Sequence, residues 1–123
     1  MKKCHVIKRV ELGKDYTCPV PKEKIQSLCV GDFIKTILCG QSLTFKPKEP
    51  TGERVWFKIR KIEPFHFEAQ LDSYPCDLSA SPGDSFDIQK DCVLEAMTEA
   101  EATTAAALQR REVMREVTEK ING

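Results

Sequence analysis

The 123-residue chain has no long hydrophobic run, no close pair of cysteines and only two histidines, His5 and His66. A membrane-crossing helix needs roughly 20 mostly apolar residues, and no stretch approaches that, so no membrane association is expected. The opening Met-Lys-Lys-Cys-His-Val-Ile-Lys has charges without a continuous apolar segment behind them, unlike a signal peptide. A cytoplasmic protein is therefore expected. Its cysteines (Cys4, Cys18, Cys29, Cys39, Cys76, Cys92) are expected to be reduced, most of them as small apolar core residues. They contain no Cys-x-x-Cys pair, and structural zinc sites usually show ligands at close spacing. No metal and no cofactor are expected. Gly13-Lys14 lacks the flanking glycines and hydroxyl of a phosphate loop.

Net charge is zero as well, but the two halves differ. Residues 1–61 hold 14 Lys+Arg against 6 Asp+Glu, and residues 62–123 hold 5 against 13. Such a split fits an anion-binding surface, an acidic mimic, or two halves that neutralise each other in one fold.

Tryptophan occurs once, and the setting of Trp56 is informative. From Gly52 to Leu71 apolar and polar positions alternate, as in two half-buried strands turning near residues 61–64. Val55, Phe57 and Ile59 fall on one face of the first strand; Phe65, Phe67, Ala69 and Leu71 fall on one face of the second. The wet face then carries Arg54, Trp56, Lys58 and Arg60 beside His66, Glu68 and Gln70.

Elsewhere, residues 4–12 have strand character, residues 16–21 read as an extended sheet edge, and residues 22–29 as a short helix. Residues 33–39 form a strand that Gly40 ends, 41–45 suggest another, and Lys46 to Gly52 form a loop. Ser81-Pro-Gly-Asp84 turns into a strand over 85–89, and 92–94 read as a short final strand or an apolar plug. Thr98-Glu-Ala-Glu101 is a capping box opening an Ala-rich, charged helix to about Lys120. Its narrow apolar stripe (Ala106, Val113, Val117, Ile121) suits packing on the barrel or pairing with a partner or a second copy. The chain thus divides into a small β-rich domain over 1–96 and a helical extension over 97–123.

Four segments in order resemble a YegJ-type family of small bacterial and phage domains: Gly31-Asp32-Phe33, Glu53-Arg54-Val55-Trp56-Phe57-Lys58-Ile59, Phe67 to Pro75, and Gly83-Asp84-Ser85-Phe86. The match covers about residues 30–95. Ala69 stands where the family pattern has glycine, and Ser73-Tyr74 where it has Asn-Asp. The resemblance implies an SH3-like, strongly bent antiparallel barrel and no activity. Its phage members suggest a host-directed accessory factor, such as an inhibitor of a bacterial defence complex.

An enzyme needs a nucleophile with its base, paired carboxylates or metal ligands. His66, Glu68 and nearby Cys76 read more simply as an exposed, ion-paired histidine and its neighbours, so no enzyme is expected. Two binding readings remain. A protein partner suits an exposed aromatic with a polar rim, because Trp and Arg are favoured anchors. Nucleic acid suits Trp56 stacking a base while Arg54, Lys58, Arg60, Lys46 and Lys48 contact phosphates. Sequestration of a small nucleotide is a third class. The protein reading ranks first, with the helix as a further contact or homodimer element. Cover of Trp56 by the first strand or the long helix is the competing structural account, with Glu99, Glu101, Glu112, Glu116 and Glu119 available to pair with the basic face.

Overall fold

Alternation within two strands decides the architecture. The structure, a computed structural model, describes residues 4–44 and 49–104. Strand β2 (Phe33–Gln41) pairs antiparallel with β3 (Pro50–Ile62) along its whole length, from Phe33↔Lys58 to Gln41↔Pro50. Alternate residues therefore share a face, and Ile34, Thr36 and Leu38 turn inward with Val55, Phe57 and Ile59. Strand β4 (His66–Leu71) folds back on β3, and β5 (Ser85–Gln89) on β4. They add Phe67, Ala69, Leu71 and Ile88 to the same interior.

The free edge of β2 is shared by two short strands. β1 (His5–Val6) pairs at Leu38 and Cys39, and β6 (Glu95–Met97) at Phe33 to Lys35. The sheet curls until β1 faces β5, giving a mostly β, nearly closed antiparallel barrel. Closure is incomplete, because among the described residues no strand ladder joins β1 to β5. The seam is spanned by side chains instead: Arg9 N–H donates to Gln89 Oε1 at 2.6 Å, and Tyr16 O–H to the Asp91 carbonyl at 2.8 Å. Helix α1 (Lys22–Ser27) plugs the barrel with Ile25, and Leu28, Leu78 and Val93 complete the core.

Several local expectations are corrected. The segment 4–12 is a two-residue strand followed by a 3-10 turn over Arg9–Leu12. Gly40 continues β2, which runs on to Gln41, and no strand starts there. A Cβ at Gly40 would meet Cys4 Sγ at 2.8 Å, so this position accepts no side chain without displacement. Pairing at the far end falls on Glu95–Met97, after a 3-10 turn over Lys90–Cys92. Phe65 is 86% exposed at the β3–β4 turn, outside the core. All six cysteines are free thiols, and only Cys92 is fully buried; burial pushes its pKa up to about 12.

The helix expected after Met97 begins as the sequence indicates. Thr98 Oγ1 accepts from Glu101 N–H, and the Glu101 carboxylate accepts from Thr98 N–H, both at 3.1 Å. Helix runs over 99–104; the remainder of the expected helix lies outside the described residues, as do Lys46 and Lys48. The charge asymmetry resolves partly inside the fold. Arg9–Asp91, Lys24–Glu101 and Lys35–Glu95 each join the basic half to the acidic one.

Buried polar groups fix the loops. Thr36 Oγ1 donates to the Cys92 carbonyl at 2.7 Å deep in the core. Asp77 accepts from the Ser42 hydroxyl, from Leu43 and Thr44 N–H and from the Thr44 hydroxyl, which binds the loop before Leu78 to the end of β2. The Ser42 hydroxyl above all, and then the Thr44 and Leu43 donors, hold its pKa at about 2, below its ordinary 3.8. Between those values the unfolded chain binds the proton and the folded chain does not. The stabilisation is thus complete above about pH 4 and lost as pH falls toward about 2. Urea midpoints of the wild type and Asp77→Asn should differ most at neutral pH and converge across that window. A constant difference would disprove the assignment.

Candidate functional site

The outward face of β2 and β3 gathers aromatic rings and cations. In the register, Phe33 lies opposite Lys58, Lys35 opposite Trp56, and Ile37 opposite Arg54. Within this grid Lys35 Nζ sits over the Trp56 ring at 5.6 Å from its centroid, and Lys58 Nζ over the Phe33 ring at 5.8 Å. Both distances are within the range of a cation–π attraction. Lys35 is also held by Glu95 at 3.2 Å, so one flank of Trp56 is anchored through β6. Trp56 and Lys58 are half-buried, whereas Arg54 and Arg60 are exposed.

The face continues across β4. Gln70 lies opposite Lys58, and Glu68 opposite Lys61. A register shift between Ile59 and Lys61 interrupts the ladder at Arg60, setting this residue in a bulge. His66 and Glu68 are positioned toward β5, opposite Gln89 and Asp87. His66 Nε2 lies 3.8 Å from Asp87 Oδ1 at the surface. Arg54, Trp56, Lys58 and Gln70 thus occupy neighbouring cross-strand positions. Arg60 sits in the bulge, while His66 and Glu68 form the far margin toward β5.

Phe33, Lys35 and Glu95 belong to this surface too, although nothing in the sequence assigns them to it. In β2 the outward positions 33, 35 and 37 alternate with inward Ile34, Thr36 and Leu38, but Phe33 and Ile37 are apolar and Thr36 is polar, which blurs the two-residue period. Among the described residues Arg54, Lys58 and Arg60 have no ion-pair partner. A second surface feature lies at the β3–β4 turn, where exposed Phe65 and Pro64 border a groove lined by Val20, Pro21, Ile25 and Lys90. Metal-capable side chains converge elsewhere, at the β1–β2 edge, where His5, Glu11 and Cys39 meet.

No family model, no curated protein and no solved structure matches this chain. Among the described residues no helix is long and apolar enough to cross a membrane.

Proposed function

We propose that this chain is a non-enzymatic protein-binding module that works through the Trp56 face. The observation that carries the reading is the cross-strand grid of Phe33, Lys35, Trp56 and Lys58, with exposed Arg54 and Arg60 beside it. Such a surface offers a rigid aromatic anchor with a charged rim, the composition of interface hot spots. A partner carrying carboxylates complements it, since Arg can bind a carboxylate through two parallel hydrogen bonds.

Finer parts of the proposal rest on the YegJ resemblance. They are an SH3-like version of the barrel and a phage-encoded factor that inhibits a host defence complex. The segment after residue 104, for which the sequence alone suggests a helix, serves in this reading as an additional partner or homodimer contact.

Nucleic acid is the alternative favoured by Arg54, Lys58 and Arg60, which have no ion-pair partner among the described residues. A base stacking on the Trp56 face that Lys35 occupies would have to displace this ammonium, which is paired with Glu95. Glu68 and Asp87 on the adjacent strands also repel a polyanion. Affinity capture from bacterial lysate, with and without nuclease, separates the two. A protein that survives nuclease and is lost with Trp56→Ala supports the proposal. Nucleic acid that is recovered, lost on digestion and abolished by Lys58→Glu with Arg60→Glu would replace it. A protein partner predicts that Trp56→Ala weakens binding more than this double reversal does, with a shallow salt dependence.

A further inference from the structure

Three side chains remote in sequence meet at the edge of the barrel opposite β3. His5 and Cys39 are directly paired residues of β1 and β2, so the ladder itself holds their side chains on one face. Val6 and Leu38 point into the core beside them, which turns His5 and Cys39 outward. The 3-10 turn after β1 then brings Glu11 over the pair. The imidazole, carboxylate and thiol atoms of the three residues all lie within 4.8 Å of one another, and His5 Nε2 is 3.4 Å from Glu11 Oε2. Donors around one small tetrahedral ion, with bonds to N, O and S of about 2.0–2.3 Å, stand about 3.3–3.8 Å apart, so the three side chains need to close by no more than about 1.5 Å to share one.

The carboxylate is pre-oriented. Glu11 Oε1 accepts from Lys8 N–H at 3.0 Å, and Glu11 N–H donates to the Lys8 carbonyl at 2.9 Å, which leaves Oε2 directed to His5. Fixing a ligand's second oxygen by hydrogen bonding is the usual support of a metal ligand. His5 and Glu11 are solvent-accessible, with side chains 51% and 39% exposed, so an ion has an entry path. Half-buried Cys39 supplies the sulfur at the inner side.

We propose that His5, Glu11 and Cys39 form a three-ligand site for a zinc-class transition-metal dication, with a fourth position open to water or a partner's side chain. The donor set selects the class. A thiolate and an imidazole favour zinc or cobalt over magnesium and calcium, which prefer all-oxygen shells. The sequence conceals the site because its ligands lie at positions 5, 11 and 39, with none of the paired spacings that mark a zinc motif. Binding is independent of the Trp56 face and of any partner there.

Cobalt titration of the reduced full chain tests it. A thiolate-to-cobalt charge-transfer band should appear with a stoichiometry of one and disappear when zinc is added. Cys39→Ser should abolish the band, and His5→Gln should weaken cobalt binding by at least about tenfold, as loss of one ligand implies. Cys29→Ser and Cys76→Ser, which alter the two exposed thiols, should leave the band intact. Glu11→Gln keeps the shape of the turn and should weaken the ion without unfolding the chain, as circular dichroism can check. Zinc should also raise the thermal midpoint of the wild type and not that of His5→Gln, since an ion bound only by the folded state stabilises it. A band that survives Cys39→Ser, or no band in the wild type, overturns the proposal.

Discussion

Phe57→Ala is expected to destabilise the barrel by about 3–5 kcal/mol, the loss typical of truncating a buried phenylalanine. Phe57 has no exposed surface and sits mid-way along β3, opposite Ile34 on one side and Leu71 on the other. Its ring also meets Phe86 edge-on, with centroids 5.7 Å apart and planes at 79°. The cavity left by alanine opens where β2, β3, β4 and β5 converge, so no single neighbour can close it. Against a total stability of about 5–15 kcal/mol, the loss is a large share. Phe57→Leu, which keeps most of the volume, should cost less. Urea unfolding of both variants decides the matter, and a loss below about 1 kcal/mol for alanine would show that the core is not close-packed there.

Asp32→Ala is expected to cost about 2 kcal/mol, the scale of charged hydrogen bonds left without their acceptor. Asp32 closes the turn Cys29-Val30-Gly31-Asp32, in which Gly31 takes φ +100° and Asp32 N–H donates to the Cys29 carbonyl at 3.0 Å. That geometry requires glycine at the third position. One Asp32 oxygen accepts from Cys29 N–H at 2.7 Å, and the other from Glu99 N–H at 3.0 Å. The carboxylate thus fastens the first helical amide after β6 to the entrance of β2. Glu101 adds a second tie through Lys24 at 2.8 Å, and that ammonium, with the Thr98 amide, holds its carboxyl at about 2. Removal of Asp32 should speed hydrogen exchange at Cys29 and Glu99 while leaving the Phe57 amide slow. Unchanged exchange at Glu99 would refute the tether.

The parts of the fold legible in the sequence are those in which one strand face is dry and the other wet. The strand over 85–89 is observed with those same bounds, and alternation in β3 and β4 correctly assigns Val55, Phe57, Ile59, Phe67, Ala69 and Leu71 to the interior. The capping box at Thr98 was legible because it depends on four consecutive residues. Phe65 was misplaced, since the strand starts only at His66 and the preceding residues turn outward. The pairing of β6 with β2 was hidden because it joins residues about sixty positions apart. The Trp56 surface was half visible: β3 and β4 supplied their residues, but Phe33 and Lys35 reach it through register alone.

The seam between β1 and β5 makes this barrel a rolled sheet with a lap joint. A ladder resists separation along its whole length, whereas a lap fastened by scattered side-chain bonds yields one fastener at a time. Release of Gln89 from Arg9 and of Asp91 from Tyr16 would uncover the outer edge of β5 without disturbing the β2–β3 pairing at the centre. Among the described residues, an opening that begins at this seam breaks side-chain bonds and no strand ladder. The backbone donors and acceptors along Ser85–Gln89 are the first it would offer to another strand.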